Sequence, residues 1–214
     1  VLGLQGGVAE HLEALAALDR MERAAGSGGV EPRRVLTEVD LVGLDGLILP
    51  GGESTAVGLL LRDGGLLEAI RGRAASGLAL WGTCMGAVLL ARDLENDDRR
   101  HFSLMDIAVR RNAFGSQLDS FVERGRVEGI AGGAFPMVFI RAPVIASVGP
   151  GVVVLARARG EIVACRQGTL LATSFHPELT DDLRFHAYFA ALAREAAGVH
   201  SAALPAASRE MRFA

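Results

Sequence analysis

The sequence predicts an α/β fold: a central, mostly parallel sheet with an antiparallel extension and helices on both faces. Three observations carry this expectation. In the first half, short apolar runs closed by glycine turns alternate with stretches of helical spacing, the pattern of βαβ units whose strands are covered on both sides. In the second half, three short strands are separated by tight turns and read as a meander. Glycine accounts for 27 of 214 residues, well above the usual ~7%. It is not periodic, so it marks many turns between apolar runs rather than a fibrous repeat.

The elements follow in chain order. Val1–Leu4 reads as a buried strand ending at Gln5-Gly6-Gly7. Val8, Leu12, Leu15 and Leu18 then follow helical spacing. Met21–Arg34 is a polar, Gly-rich surface connection, with a short strand at Arg33–Leu36. Leu47-Ile48-Leu49 is a strand closed by Pro50-Gly51-Gly52, and Thr55–Leu61 and Leu66–Ala75 are helices. Leu78-Ala79-Leu80-Trp81 is a strand stopped by Gly82, with a helix over Met85–Ala91. Val152–Ala156, Glu161–Cys165 and Leu170–Phe175 are the meander, turned at Arg159-Gly160 and Gln167-Gly168. The last helix spans Asp181–Ala197, with an apolar stripe of Leu183, Ala187, Phe189, Ala190 and Leu192, and with Asp181 and Asp182 suited to its N-terminal dipole. No internal repeat or linker interrupts this, so residues 1–197 are expected to form one domain. Residues 198–214 read as a flexible tail, with docking on a partner as the alternative.

Composition removes several function classes. Apolar residues make up 50% and charged residues 22%, an ordinary globular balance. The 25 acids against 22 bases, net −3, argue against a nucleic-acid partner. No apolar run is long enough for a membrane span, and no basic segment precedes an apolar one as in a secretory leader. The chain begins at Val1 inside an apolar run, so the first strand is expected to be trimmed or translation to start upstream. Two cysteines, Cys84 and Cys165, make no disulfide framework, and free thiols suit the cytoplasm. Cys and His spacings match no zinc pattern, and no phosphate-loop lysine signature is present, so neither a metal nor another cofactor is expected.

The sharpest feature is Gly82-Thr83-Cys84-Met85-Gly86. An apolar strand enters it and an apolar helix leaves it, the arrangement of a nucleophile elbow. Glycine on either side permits the tight turn, and a helix N-terminus favours a thiolate. The plainer reading of a free cysteine, a small buried hydrophobe, suits Cys165 in its alternating strand. A thiolate also needs a proton shuttle. Of five histidines, His11 and His186 fall on helices, where a solvated or half-buried role is the ordinary one; His101 falls in a charged loop and His200 in the tail. His176 follows an apolar strand and precedes Pro177-Glu178, at the kind of strand end where α/β folds assemble their sites. Pro177 biases His176 toward an extended shape, and Glu178 two residues on can turn back to hold its tautomer. Pro50-Gly51-Gly52-Glu53-Ser54 ends a strand and opens a helix, so its N–H groups suit an oxyanion, although Glu53 and Ser54 also suit a plain first turn.

A cysteine elbow, a Gly-Gly loop and a distant His-x-Glu together resemble class I glutamine amidotransferases, the triad glutaminases. Further stretches narrow the match: Leu2-Gly3-Leu4-Gln5-Gly6, Leu49–Thr55, Arg111-Asn112-Ala113-Phe114-Gly115, Phe139-Ile140-Arg141-Ala142-Pro143 and Ser174–Thr180. With these the chain resembles the glutaminase-subunit family of pyridoxal 5′-phosphate synthases over about residues 1–195. The resemblance implies a three-layer class I glutamine amidotransferase-like fold and hydrolysis of L-glutamine to glutamate and ammonia. The ammonia would feed a separate synthase subunit in a hetero-oligomeric complex that makes vitamin B6. It implies Cys84 as nucleophile, His176 as base and then acid, and Glu178 as its orienter. Backbone N–H groups of Gly52 and Met85 would meet the oxyanion. Gly52, Glu53, Ser54, Arg111, Ile140 and Arg141 would line the glutamine site, where either arginine could fork onto the α-carboxylate. Met85 departs from the family, which carries a smaller residue there. Two readings stay open: a cysteine peptidase, amidase or other amidotransferase subunit on this architecture, and a non-catalytic regulator that keeps the fold and binds a partner.

Overall fold

The computed structural model describes residues 1–95, 97–111 and 120–203, with side chains through residue 198. Helix α1 spans Val8–Ala24, β1 Gly46–Leu49, α2 Ser54–Asp63, α3 Leu66–Ala75, β2 Ala79–Thr83 and α4 Met85–Leu90. Strands β3 (Ala91–Leu94), β4 (Met105–Arg110), β5 (Phe121–Gly125), β6 (Phe135–Phe139) and β7 (Val144–Val148) follow. The chain then forms β8 (Val153–Ala158), β9 (Glu161–Gln167) and β10 (Leu170–Thr173), and ends its described part in α5 (Arg184–Ala203).

Among the described residues the main sheet runs β1-β2-β10-β9-β7-β4-β3, with β8 added on β9. β1, β2 and β10 are parallel neighbours, and the pairs of β9 with β10, β7 and β8 are antiparallel. The β8–β9 hairpin turns where expected, with Arg159 and Gly160 both at positive φ. Side chains alternate across the parallel strands. Leu47, Leu49 and Leu80 join the core under α2, α3 and α4, while Ile48, Ala79 and Trp81 join the core under α1 and α5. Helices therefore cover both faces, and β5 and β6 form a separate antiparallel hairpin on the α5 side.

Several details differ from the sequence reading. Val1–Leu4 makes a single parallel bridge, Leu2 to Val35, rather than a ladder, although the Leu2 N–H still bonds the Ile48 carbonyl at 2.8 Å. The helix after Cys84 ends at Leu90 because the chain passes directly into β3 at Ala91. Strands β3 to β7 were not among the expected strands; β4 and β6 alternate in burial, and the apolar run of β7 is closed by Gly149. The last helix starts at Arg184, its N–H received by Asp182, and runs to Ala203, past the expected end at Ala197. Of the expected tail, residues 204–214 lie outside the described residues.

The largest correction concerns His11 and His186, expected to be solvated or half-buried. Both are fully buried. His11 shares the inward stripe of α1 with Val8, Leu15 and Leu18, and the stripe of α5 is Phe185, His186, Phe189 and Ala190 rather than Leu183 and Ala187. Their imidazoles meet at 3.0 Å, Nδ1 of His11 to Nε2 of His186, beside Trp81. Burial pushes His186 from the ordinary 6.5 to about 4. Burial first, then the charges of His186 and His176, push His11 well below its usual range.

Two expectations follow. Phe185 is fully buried and packs on Phe135 and Phe175 with centroids at 4.8 and 5.3 Å. Phe185→Ala should cost about 3–5 kcal/mol in denaturant unfolding, and a loss below about 1 kcal/mol would contradict this packing. The second concerns pH. Folding lowers the His186 pKa, so its contribution is fully present above the unfolded value near 6.5 and is lost as pH falls toward about 4. That is about 3 kcal/mol over the interval. Urea titrations at pH 7.5 and 4.5 should show a smaller loss in His186→Leu than in the wild type; equal losses would contradict it.

Candidate active site

The site begins with the end of β2. This strand is buried throughout, and its last residue, Thr83, pairs with Thr173 of β10 in parallel register. Cys84 then takes φ 49° and ψ −106°, a conformation that non-glycine residues adopt rarely, and α4 starts at Met85. Backbone crowds both glycines that flank the corner. A Cβ at Gly82 would run into the Gly86 backbone, and one at Gly86 would run into the Leu49 carbonyl. The Cys84 N–H is held by the Thr173 carbonyl at 2.8 Å. Strain of this kind persists where surrounding contacts over-determine it. The Cys84 sulfur lies 3.9 Å from the Ile140 carbonyl oxygen, and its interaction with the His176 imidazole favours the protonated ring.

The parallel β2–β10 register explains how residues far apart in the chain meet. Cys84 follows one strand end and His176 follows its neighbour. The His176 N–H bonds the Val138 carbonyl at 2.8 Å, which ties the turn to β6. Its Nδ1 lies 2.8 Å from Glu178 Oε1. The carboxylate returns to the ring through a one-turn 3-10 helix, Pro177–Leu179, rather than through an extended segment. Burial lowers the His176 pKa, but the Cys84 and Glu178 contacts outweigh it and raise the value from 6.5 to about 10. The proton therefore stays on the imidazole, between sulfur and carboxylate.

The loop between β1 and α2 packs onto this pair. A Cβ on Gly51 would stand 2.5 Å from His176 Cε1 and 3.3 Å from Cys84 Cβ. Glu53 is the N-cap of α2, receiving the Thr55 and Ala56 N–H groups at 3.0 and 2.8 Å, and these bonds hold its carboxyl below the usual range. The plain first-turn reading of Glu53 is thus part of the geometry, and its side chain also faces the cavity. Met85 opens α4, so its N–H has no carbonyl within the helix. Arg111 reaches Glu53 Oε1 at 3.6 Å and Asp97 Oδ2 at 3.4 Å, and Asp97 is held in turn by Arg99 at 2.7 Å. Arg141, on the loop after β6, adopts φ 45°.

A cavity of about 470 Å³ joins these pieces. Gly52, Glu53, Ser54, Cys84, Met85, Arg111, Ile140, Arg141 and His176 all line it. Glu178 lies behind His176, its side chain 1% exposed. The sequence reading gave no role to Gln5, which lines the cavity and receives the Glu53 N–H at 3.0 Å, nor to Pro143. The Gln-Gly step before α1 was the available signal for Gln5. Asn112–Gly115 lie outside the described residues. Cys165 is buried in β9, and burial pushes its thiol up to about 12. His101 is buried against Gly58, away from the cavity lining. Among the described residues no group of His, Cys, Asp or Glu side chains could hold a metal ion, and no helix is long and apolar enough to cross a membrane.

Comparisons with known proteins agree on one family. The model of the SNO glutamine amidotransferase family matches residues 1–194. A Ruminiclostridium cellulolyticum protein described as pyridoxal 5′-phosphate synthase subunit PdxT is 48% identical over 190 residues, 89% of this chain and 96% of its own. A protein of the same description from Caldanaerobacter subterraneus subsp. tengcongensis is 49% identical over 189 residues, 88% of this chain and 95% of its own. A solved glutamine amidotransferase superimposes with a TM-score of 0.79 at 46% identity, covering 90% of this chain and 96% of that one. The chain belongs to the SNO glutamine amidotransferase family.

Proposed function

We propose that this chain hydrolyses L-glutamine through a thioester on Cys84 and passes the ammonia to a separate synthase subunit that makes pyridoxal 5′-phosphate. The observation that carries this reading is the contact chain Cys84–His176–Glu178 opening on a cavity bordered by two arginines. The sulfur anion adds to the side-chain carboxamide carbon. Negative charge moves to the oxygen, where the N–H groups of Gly52 and Met85 meet it; one such donor is typically worth about 10²–10³ in rate. His176 gives its proton to the nitrogen, the C–N bond breaks and ammonia leaves. The neutral imidazole then takes a proton from water, whose oxygen attacks the thioester, and glutamate departs as the thiolate re-forms. Atoms balance as glutamine plus water to glutamate plus ammonia. Glu178 keeps the Nδ1 proton in place throughout.

The remaining side chains suit a free amino acid. Arg111 and Arg141 match an α-carboxylate, and Glu53 offers charge complementary to an α-ammonium. This complementarity favours glutamine over a peptide substrate, and the intact contact chain disfavours a non-catalytic regulator. The reading includes a hetero-oligomeric complex with the synthase subunit, no nucleic-acid partner and a cytoplasmic setting. Cys84 must stay reduced to act, and both cysteines are free.

The test uses the full chain mixed with a candidate synthase subunit, following glutamate and pyridoxal 5′-phosphate together. Cys84→Ala should lower glutamate release by at least about 10³, with coenzyme formation restored by an added ammonium salt. Glutamate release that survives Cys84→Ala would overturn the mechanism. Glutamate without coenzyme would assign the chain to another amidotransferase.

A further inference from the structure

Behind the cavity, a buried polar chain continues past the groups the mechanism uses. Glu178 Oε1 faces His176 Nδ1 at 2.8 Å, and its other oxygen, Oε2, lies 3.3 Å from His11 Nε2. The same His11 nitrogen lies 3.2 Å from Oγ1 of Thr83, the residue immediately before Cys84. On its other side, His11 Nδ1 meets His186 Nε2 at 3.0 Å. His11 and His186 are both 0% exposed. One imidazole thus touches both the residue that precedes the sulfur and the carboxylate that orients the base.

The protons in this chain can be assigned from its ends. A proton on His11 Nδ1 would make His186 accept at Nε2. That leaves an N–H on His186 Nδ1, a buried atom without a hydrogen-bond partner. An orphaned buried donor costs about 1–3 kcal/mol. It would also turn a lone pair of His11 toward the Glu178 carboxylate. The opposite assignment leaves His186 Nδ1 as an unpartnered acceptor instead, but it removes the repulsion between a His11 lone pair and the Glu178 carboxylate. His186 Nε2–H donates to His11 Nδ1, and His11 Nε2–H points to Thr83 Oγ1 and Glu178 Oε2. The Glu178 contact is a charge–dipole contact rather than an aligned hydrogen bond, since Oε2 has no aligned donor among the described residues.

Neutrality matters to the role. A second imidazolium beside Glu178 would compete with His176 for the carboxylate charge, whereas a neutral N–H orients the carboxylate and leaves its charge for His176. The same helix supplies more. Gly7, the N-cap of α1, faces Glu178 so closely that a Cβ there would stand 2.9 Å from Oε1. The carboxylate thus lies against the first turn of α1, where the helix dipole favours an anion.

We propose that His11 is a positioning residue for glutamine hydrolysis: its Nε2–H, oriented by His186 and shared between Thr83 and Glu178, keeps Glu178 Oε1 on the Nδ1 of His176. The proposal rests on the roles assigned above to Cys84, His176 and Glu178. Its test is steady-state glutaminase kinetics of the full chain with its synthase subunit, for wild type, His11→Leu and His11→Gln, each alone and combined with Glu178→Gln. Thermal unfolding checks that each variant is folded. His11→Leu should lower kcat about 10-fold or more with KM changed less than about 2-fold. His11→Gln, whose amide offers both a donor and an acceptor, should return kcat to within about 3-fold of wild type. In the Glu178→Gln background His11→Leu should cost less than about 2-fold more, because the two residues act as one unit. An unchanged kcat in His11→Leu, or the same fold loss in both backgrounds, would overturn the positioning role. Should His11→Leu not fold, His11→Asn, one methylene shorter than Gln, takes its place with the same outcomes. Cys84→Ala that keeps glutaminase activity would instead overturn the site on which the proposal rests.

Discussion

The backbone corner at Cys84 is the constraint on which the cavity depends. β2 is buried on both faces and cannot shift along its axis without breaking its register with β1 and β10. α4 must start within one residue of its end, because Gly82 and Gly86 already touch backbone that leaves no room for a side chain. A positive φ at Cys84 is what reconciles the two elements. It stations the sulfur beside the end of β10, where His176 stands. Cost of this kind, about 1–3 kcal/mol at a strained residue, is met by the sheet on either side.

The polar groups lie in two layers around that corner. The open layer holds the sulfur, the Gly51-Gly52 loop and the arginines, with Asp97 and Glu53 holding Arg111 at the rim. The closed layer holds Glu178, His11, Thr83 and His186 among Trp81, Phe185 and Phe189. In such surroundings a hydrogen bond is strong and an unmatched polar group is expensive, so the closed layer has few alternative arrangements. It packs against the Glu178 carboxylate on the side away from the cavity. The open layer stays accessible to a small charged molecule.

How much of this was legible in the sequence follows from how local each signal is. The elbow was legible because Gly82, Cys84 and Gly86 impose their geometry within five residues. His176 and Glu178 were legible because Pro177 sits between them at a strand end, although the turn is a 3-10 helix rather than extended chain. The helices over 66–75 and after Cys84 were legible from apolar spacing. Strands β3 to β5 were not, since their runs are broken by charged residues such as Arg92, Asp93, Asp106 and Glu123; the apolar runs of β6 and β7, the latter followed by Gly149, carried a signal that the sequence reading passed over. His11 was not part of the Val8, Leu12, Leu15 and Leu18 spacing and was expected to be solvated or half-buried, whereas the fold buries it beside Val8 and Leu15. Its partners come from β2, the 3-10 turn and α5, the last of them 175 residues away, so no spacing rule links them. Gln5 was quoted within a motif, but its bond to the Glu53 N–H joins two loops that only the folded sheet brings together.

The central claim is that the sulfur of Cys84, held at that corner, is the atom that attacks the substrate. It is tested most directly by treating the complex with a glutamine-analogue chloroketone and mapping the modified peptide by mass spectrometry. The account predicts one label per chain on Cys84, appearing in step with loss of glutaminase activity and prevented by excess glutamine. Inactivation with the label on Cys165, or with Cys84 unmodified, would contradict it.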